Sequence, residues 1–272
     1  MEARDAGTPG HLTRSEQTEL VRREFARQAG TFEDARVNGA FTMHLQRLVD
    51  FIGAGPEAVC LDSACGTGIV ARALAPRVGH VTALDTTPEM LAEGKAQADR
   101  EGVSNLVFQQ GDAAGLPFLD ASFDIVISRF SLHHVASPEL VAAELVRVCR
   151  PGGRVVVADM VARPDLPGDP DRLERLRDPS HGTLLTIEHI TGLLTAAGVD
   201  AATGWSDVFD VRRPLRPWLE QALTPAKECD AIERELREEL DGGPATGLRP
   251  QLADGRLWFT QTWAHLSMGV PA

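Results

Sequence analysis

The sequence predicts an open α/β fold, in which helices cover both faces of a mostly parallel sheet. The first observation is alternation. Short apolar runs and helical segments follow one another five times within about 110 residues, and such strands pair in parallel through right-handed crossovers. The second is composition, because 272 residues with 43% hydrophobic and 24% charged side chains suffice for a folded globular domain.

Periodicity and turn residues give the elements in chain order. Two helices come first, over residues 15–30, where Ser15 can cap, and over residues 41–52. Strands of the alternating region are expected at residues 58–62, 80–85, 105–109, 123–128 and 154–160. A helix over residues 186–197, a strand over 199–205, an acidic helix over 225–240 and a strand over 256–268 follow. The last strand is predicted to be antiparallel, and it completes a sheet of seven strands.

Composition also excludes several classes of function. A net charge of −12 argues against nucleic-acid binding, because proteins that track phosphates carry a basic stripe. We find neither a run of ~18 apolar residues for a membrane span nor a signal peptide, so we expect a cytoplasmic protein without a membrane partner. The four cysteines lack zinc-ligand spacing, so we expect free thiols and no metal site.

Three acids and a glycine turn mark the candidate ligand site. Gly66 and Gly68 follow the first strand of the alternating region, which ends in Asp62. Asp85 ends the second strand, and Asp112 follows the third. Ligands of open parallel sheets bind outside the carboxyl ends of the strands, so these carboxylates are expected to face one crevice.

Each of these acids has a chemical use toward a nucleoside. Asp85 can accept both hydroxyls of a ribose, Asp112 can accept from an exocyclic amine of a purine, and Asp62 can attract a cationic group. A dinucleotide would instead bring a pyrophosphate to the glycine turn, where Asp62 would repel it. The pattern therefore favours an adenosine ligand with a positive centre. Each acid taken alone could equally be a solvated strand end or a helix cap.

Six stretches in order carry a family resemblance. They are VCLDSACGTG (59–68), VTALD (81–85), PEML (88–91), QGDAAGLPF (110–118), FDIVIS (123–128) and RVCRPGGR (147–154). Together they resemble the motifs of class I S-adenosylmethionine-dependent methyltransferases. The similarity is to the small-molecule type related to ubiquinone/menaquinone C-methyltransferases and natural-product O-methyltransferases. It implies a Rossmann-like sheet and S-adenosylmethionine as the cofactor.

The resemblance also implies which residues hold the cofactor. They lie in the motifs, at strand ends and near the N-terminus: Phe32, Asp62, Ala64, Gly66, Gly68, Asp85, Thr86, Met90, Gly111, Asp112, Ala113 and Arg129. Two of them depart from the family pattern. Ala64 stands where glycine is more common, and Phe32 stands where relatives often have tyrosine, which this chain lacks.

His133 and His134 follow the fourth strand and are the candidate bases for deprotonating an acceptor. Imidazole titrates near neutral pH, and removal of a proton from a hydroxyl or amine exposes the lone pair that attacks the methyl group. The pair resembles the His-His stretch of O-methyltransferases in this family, with Asp159 as the acid that some of them place beside it. Which histidine acts as the base stays open, as does a purely local role.

A second candidate stretch has the sequence Arg-Asp-Pro-Ser-His. It supplies the predicted substrate contacts Arg177, Asp178 and His181, by resemblance to a subgroup of the family. The alternative is an Asp-Pro-Ser turn that caps a helix beginning near Thr183. Both interpretations stay open at this point.

The same interpretation divides the chain. Residues 1–15 are expected to form a flexible arm, 16–55 a helical lid and 56–162 the S-adenosylmethionine-binding core. Residues 163–272 supply acceptor-side insertions and C-terminal strands of the same domain. All four tryptophans lie in that last part, where they indicate core, acceptor pocket or an interface such as that of a homodimer.

The predicted function is methyl transfer to a small acceptor, natural-product or quinone-like and neutral or cationic, by in-line displacement after His-assisted deprotonation. A high Arg-to-Lys ratio suggests a bacterial source and secondary metabolism. The alternatives are a cyclase that retains the cofactor, a module that senses the cofactor and, more remotely, an NAD oxidoreductase.

Overall fold

The central sheet has eight strands within the residues that the computed structural model describes, namely 12–34, 36, 39 and 42–272. The strands are β1 (Val59–Ser63), β2 (His80–Asp85), β3 (Leu106–Gln110), β4 (Phe123–Arg129), β5 (Cys149–Met160), β6 (Asp200–Pro214), β7 (Gln251–Ala253) and β8 (Arg256–Gly269). Their order is β3-β2-β1-β4-β5-β8-β6, and the short β7 pairs only with β8. The seven strands on this path confirm the predicted fold class.

Helices pack around the sheet. In the described ranges they are α1 (Arg14–Gln28), α2 (Leu45–Ile52), α3 (Ile69–Leu74), α4 (Pro88–Glu101), α5 (Pro138–Val148), α6 (Pro170–Arg177), α7 (Ile187–Ala197), α8 (Leu215–Gln221) and α9 (Ala226–Leu240). Short 3-10 turns occupy Ala29–Thr31, Ala75–Arg77 and Leu132–His134. None of these helices is long and apolar enough to cross a membrane.

Strand direction changes twice along the sheet, because β8 alone on the path from β3 to β6 runs antiparallel to its neighbours. The strands from β3 to β5 run parallel, as their βα alternation requires. β8 is antiparallel to β5, and β6 is antiparallel to β8, so β6 runs in the same direction as β5. β7 joins β8 through a two-residue turn at Asp254 and Gly255, both with positive φ, as in a tight hairpin.

The N-terminal helix begins earlier than predicted. Thr13, not Ser15, is the N-cap of α1. Its hydroxyl accepts the N–H of Glu16, whose carboxylate accepts the N–H of Thr13 in turn. This reciprocal capping box satisfies two backbone donors, which outweighs the single bond that Ser15 could offer. The second helix, predicted over residues 41–52, is observed from Leu45 to Ile52; residues 40 and 41 lie outside the described part.

Apolar side chains pack on both faces of the sheet. Leu61, Val126 and Leu145 are buried on one face, and Leu48, Val81 and Ile127 on the other. The continuous apolar character of the parallel strands follows from this double burial. A third cluster packs beyond the carboxyl edge of the sheet, where α6, α8 and α9 meet the start of β8 around Trp218, Phe259 and Leu236.

The C-terminal strands are longer than the sequence predicts. β6 runs from Asp200 to Pro214, whereas the pattern supported only residues 199–205. Its later residues pair with the first part of β8, so the two strands continue past the end of β5 and form a two-stranded extension above the carboxyl edge of the sheet. Helices α6 and α8, which we did not predict, pack against this extension.

Candidate active site

A cavity lies at the carboxyl ends of the parallel strands and collects most of the predicted site residues. Those in its wall are Phe32, Asp62, Ala64, Gly66, Asp85, Thr86, Gly111, Asp112, Ala113, Arg129, His133, His134, Arg177 and Asp178. Asp159 lies directly behind the wall, where it contacts His133. The remaining predicted residues, Gly68, Met90 and His181, lie outside the wall.

Two predicted cofactor residues occupy packing positions. Gly68 is the N-cap of α3 with a positive φ of 69°, and a Cβ there would lie 2.7 Å from the ring of Phe108. Glycine is therefore needed at this position for close packing and for its backbone conformation. Met90 is fully buried in α4 and does not reach the cavity. The expected direct contacts of Gly68 and Met90 with the cofactor are thus not supported by their positions.

Asp85 links the turn after β1 to the end of β2 through hydrogen bonds. Its Oδ2 accepts the N–H of Gly66 at 2.8 Å, and its Oδ1 accepts the N–H of Thr87 at 2.8 Å. Burial raises the pKa of Asp85 and outweighs these backbone hydrogen bonds, which favour the ionised form. The carboxylate still lines the cavity, so it is placed to accept further hydrogen bonds from a ligand.

Asp62 is a buried carboxylate in the same half of the cavity. Its Oδ2 accepts the N–H of Ala71 at 3.0 Å. Burial raises its pKa to about 7; the hydrogen bond from Ala71 and the positive charge of Arg129 oppose that rise without cancelling it. A cationic ligand atom beside Asp62 would restore the ionised form, so the site fits the positively charged amino group of a methionine moiety.

Helix α1 closes one side of the cavity. The guanidinium of Arg14 donates to Oδ2 of Asp112 at 2.8 Å, which links α1 to the loop after β3. The side-chain amide of Gln17 donates to the backbone carbonyls of His134 and Ser180, both at 2.8 Å. Phe25 places its ring edge-on to His134, with centroids 5.0 Å apart. These contacts hold α1 against the cavity wall, and its role as a lid stays a prediction.

His133 and Asp159 form a buried pair at the end of β4. Nδ1 of His133 lies 2.5 Å from Oδ1 of Asp159. The N–H groups of Leu132 and Met160 also donate to the Asp159 carboxylate, at 3.0 and 2.8 Å, and hold it in place. Burial opposes the charged form of His133, but the charge and hydrogen bond of Asp159 prevail, so its pKa is raised.

His134 has the opposite character. Its Nδ1 lies 3.0 Å from the carbonyl oxygen of Ser180, which accepts the ring N–H. Burial, followed by the neighbouring charge of His133, lowers the pKa of His134 to about 3. His134 is therefore neutral across the physiological pH range, and it is a much weaker proton acceptor than His133.

The Arg-Asp-Pro-Ser-His stretch contributes to the wall and forms a turn as well. Oδ1 of Asp178 accepts from the N–H and the hydroxyl of Ser180, at 2.9 and 2.6 Å, which is an Asx-type turn. This turn does not cap a helix near Thr183, because the next helix, α7, is capped by Thr186. His181 bonds through Nε2 to Asp171 at 2.7 Å, outside the cavity.

Several residues of the cavity wall were not predicted from the sequence. Gln17, Phe130, Met160, Arg213 and Gln221 all line the cavity. Phe130 lies two residues after the strand predicted over 123–128, and Met160 ends the strand predicted over 154–160, so the strand-end rule could have found both. Arg213 and Gln221 gave no signal, because a charged or amide side chain in an irregular segment is normally exposed. Among the described residues, no group of three or more His, Cys, Asp or Glu could hold a metal ion.

Comparison with known proteins places this geometry in a family. Residues 61–157 match a methyltransferase domain. The chain is 33% identical over 189 residues to the uncharacterized methyltransferase YcgJ of Bacillus subtilis, across 66% of this chain and 72% of that protein. It is 37% identical over 149 residues to the demethylmenaquinone methyltransferase of Beutenbergia cavernae, across 51% of this chain and 60% of that protein.

Solved structures share the fold. The crystal structure of Bacillus subtilis YcgJ matches with a TM-score of 0.73 and 26% identity, over 85% of this chain and 99% of that one. A Haemonchus contortus phosphoethanolamine N-methyltransferase 2, solved with S-adenosyl-L-methionine, matches with a TM-score of 0.65 over 98% of this chain and 62% of that one. Its 17% identity shows likeness of fold alone.

Proposed function

This chain belongs to the class I S-adenosylmethionine-dependent methyltransferases, and we propose that it methylates a hydroxyl or amine of a small molecule with His133 as the base. The observation that carries the proposal is the His133–Asp159 pair at the wall of the cavity. Its neighbour His134, held neutral with a pKa of about 3, does not compete for the proton.

The residues present fit the cofactor. Asp62 would hold the amino group of the methionine moiety, Asp85 the ribose hydroxyls and Asp112 the adenine amine. Gly66 supports this arrangement, because its positive φ of 56° turns the backbone beside the cavity. When bound, S-adenosylmethionine supplies a methyl group on a positively charged sulfur.

His133 and Asp159 would perform the proton transfer. The Nδ1–H of His133 donates to Asp159, which fixes the tautomer and leaves Nε2 to accept the acceptor's proton. Asp159 then stabilises the imidazolium that forms, in the way an acid supports histidine in hydrolase triads. Loss of the proton would leave a lone pair on the acceptor oxygen or nitrogen, and the bound cofactor would supply the methyl group to it, with S-adenosylhomocysteine as the leaving group.

The acceptor class that we propose is a natural-product or quinone-like molecule with an apolar body. Val21, Phe25, Phe130 and Met160 give the cavity apolar walls that suit such a body. The similarity to a demethylmenaquinone methyltransferase supports a quinone-like acceptor.

The test is turnover with reduced naphthoquinones and a panel of phenols, measured as S-adenosylhomocysteine release and as mass gain of the acceptor.

A variant tests the role of the base. His133→Gln should lower the rate of the chemical step by about 10²–10⁴-fold with unchanged S-adenosylhomocysteine affinity. The exposed His189→Gln is the matched control. Full turnover by His133→Gln would exclude His133 as the base. Product formation with the cofactor left intact would indicate a cyclase instead.

A further inference from the structure

We infer that the acceptor carries a carboxylate, and that Arg213, Gln221 and Arg177 bind this carboxylate at the end of the cavity that they line, here called the basic end. The inference rests on the proposed methyl transfer and specifies its substrate class. It departs from the neutral or cationic acceptor that the sequence led us to expect. The placement of Arg213, its burial and its neighbours carry the argument.

Strand pairing places Arg213 above the carboxyl edge of the sheet. Met160, the last residue of β5, pairs with Trp263 of β8, which in turn pairs with Phe209 of β6. Arg213 lies four residues further along β6, about 13 Å beyond that level at ~3.3 Å per residue. His133 lies near the sheet edge, beside Asp159. The backbone of Arg213 therefore lies beyond the sheet edge that carries His133, and the proposed acceptor would extend between the two side chains.

Arg213 is buried but belongs to the cavity wall. Its side chain is 3% exposed and donates to Oε1 of Gln261 at 3.0 Å and to Oε1 of Gln221 at 3.1 Å. Burial, followed by the positive charge of Arg177, lowers the pKa of Arg213 to about 9. The buried guanidinium would be stabilised by an anion that enters the cavity, because charge-assisted hydrogen bonds are strong in a low dielectric.

The neighbouring charges favour a single negative charge on the ligand. Oε2 of Glu174 accepts from Arg177 at 3.3 Å, and its Oε1 accepts from Gln261 at 2.6 Å; Gln261 in turn accepts from Arg213. Asp178 also lines the cavity, with Ser180 and Gln28 donating to it. These two carboxylates would repel a phosphate dianion. A planar carboxylate matches the guanidinium fork and carries one charge only.

The experiment compares acids with their own amides. The probes are 4-hydroxybenzoate, 4-hydroxyphenylacetate, 3-(4-hydroxyphenyl)propanoate and 4-coumarate, each paired with its primary amide. Binding to protein saturated with S-adenosylhomocysteine is measured by calorimetry. We expect at least one acid to bind about tenfold or more tightly than its amide, as a charge-assisted hydrogen bond should provide.

Variants assign the preference to Arg213. Arg213→Gln should reduce the acid–amide ratio to under about threefold, and Arg213→Lys, which keeps the charge, should retain a clear preference. Arg212→Gln on the same strand is the matched control, because Arg212 is exposed and should leave the ratio unchanged. Thermal unfolding shows whether each variant is folded, and the acid–amide comparison in the wild type needs no variant.

Two outcomes overturn the inference: no acid binds more tightly than its amide to the wild type, or folded Arg213→Gln keeps the preference. If the proposed methyl transfer itself is wrong, the experiments give a different result: S-adenosylhomocysteine does not bind, or turnover does not depend on His133. Binding of S-adenosylhomocysteine without any preference for acids therefore removes the inference and leaves the methyl transfer intact.

Discussion

His133 and His134 are consecutive residues with rings 4.3 Å apart, and their environments shift their pKa values in opposite directions. The difference comes from their partners. Asp159 supplies a carboxylate to His133, whereas His134 meets the carbonyl oxygen of Ser180 and the edge of Phe25. These two consecutive residues therefore differ: His133 is a strong proton acceptor, whereas His134 is a neutral residue of the cavity wall.

The first prediction concerns the pH profile of turnover. His133 accepts a proton only when neutral, and its pKa is raised, so activity should fall as pH drops through a value above that of an ordinary histidine. Asp159→Asn should lower the plateau rate and move the midpoint to lower pH, because only the charges of Glu174 and Asp178 then oppose the effect of burial. Asp171→Asn, which removes the partner of His181, is the control. A midpoint that Asp159→Asn leaves in place would contradict the pairing.

The second prediction is proton release when S-adenosylhomocysteine binds. At pH 7 an Asp62 with a pKa of about 7 is about half protonated, and a cationic amino group beside it would ionise it. Calorimetry in buffers of different ionisation enthalpy should therefore detect release of about 0.5 proton at pH 7 and little above pH 8.5. Asp62→Asn should abolish the release. Equal release from the variant would show that another group is responsible.

The third prediction concerns the ribose. Asp85→Ala should weaken S-adenosylmethionine binding by at least about tenfold, since hydrogen bonds to a charged group contribute about 1.5–3 kcal/mol. The variant also loses the acceptor for the N–H groups of Gly66 and Thr87. Asp99→Ala, an exposed acid on α4 paired with Lys95, is the matched control. Unchanged affinity of Asp85→Ala would remove the ribose assignment.

The fourth prediction concerns α1. Gln17→Ala removes two buried hydrogen bonds to the backbone of His134 and Ser180, each worth about 1 kcal/mol. We expect S-adenosylhomocysteine to dissociate about fivefold faster or more, measured by stopped-flow displacement. Glu19→Ala, an exposed position on the same helix, should have no effect. Equal dissociation rates for the two variants would argue against α1 as a lid.

The cofactor half of the site could be predicted because its geometry is local. Asp62, Asp85 and Asp112 each come directly at or after a strand, and parallel strands bring their carboxyl ends together whatever the rest of the chain does. Gly68 and Met90 show the limit of this reasoning. A motif position does not reveal whether the residue faces the ligand or, as Gly68 does at Phe108 of β3, packs against a neighbouring element.

The acceptor half depends on contacts between distant parts of the chain. The difference between His133 and His134 depends on Asp159 and Ser180, which lie 26 and 46 residues further on. Arg213 is buried only because β6 extends along β8 past the sheet edge, and the length of that pairing has no signature in the local pattern of β6. Sequence periodicity therefore could not locate the basic end.

Because β6 extends beyond β5, the residues proposed to bind the cofactor and those proposed to bind the acceptor lie far apart in the sequence. The acids proposed for the cofactor lie at the ends of β1 and β2 and in the loop after β3, whereas Arg213 and Gln221 come from β6 and α8, about a hundred residues later. On the inferred role of Arg213 and Gln221, substitutions on this extension should change acceptor choice while the methyl-donor half stays intact. Directed evolution of new acceptor specificities should therefore concentrate its libraries on residues 209–221.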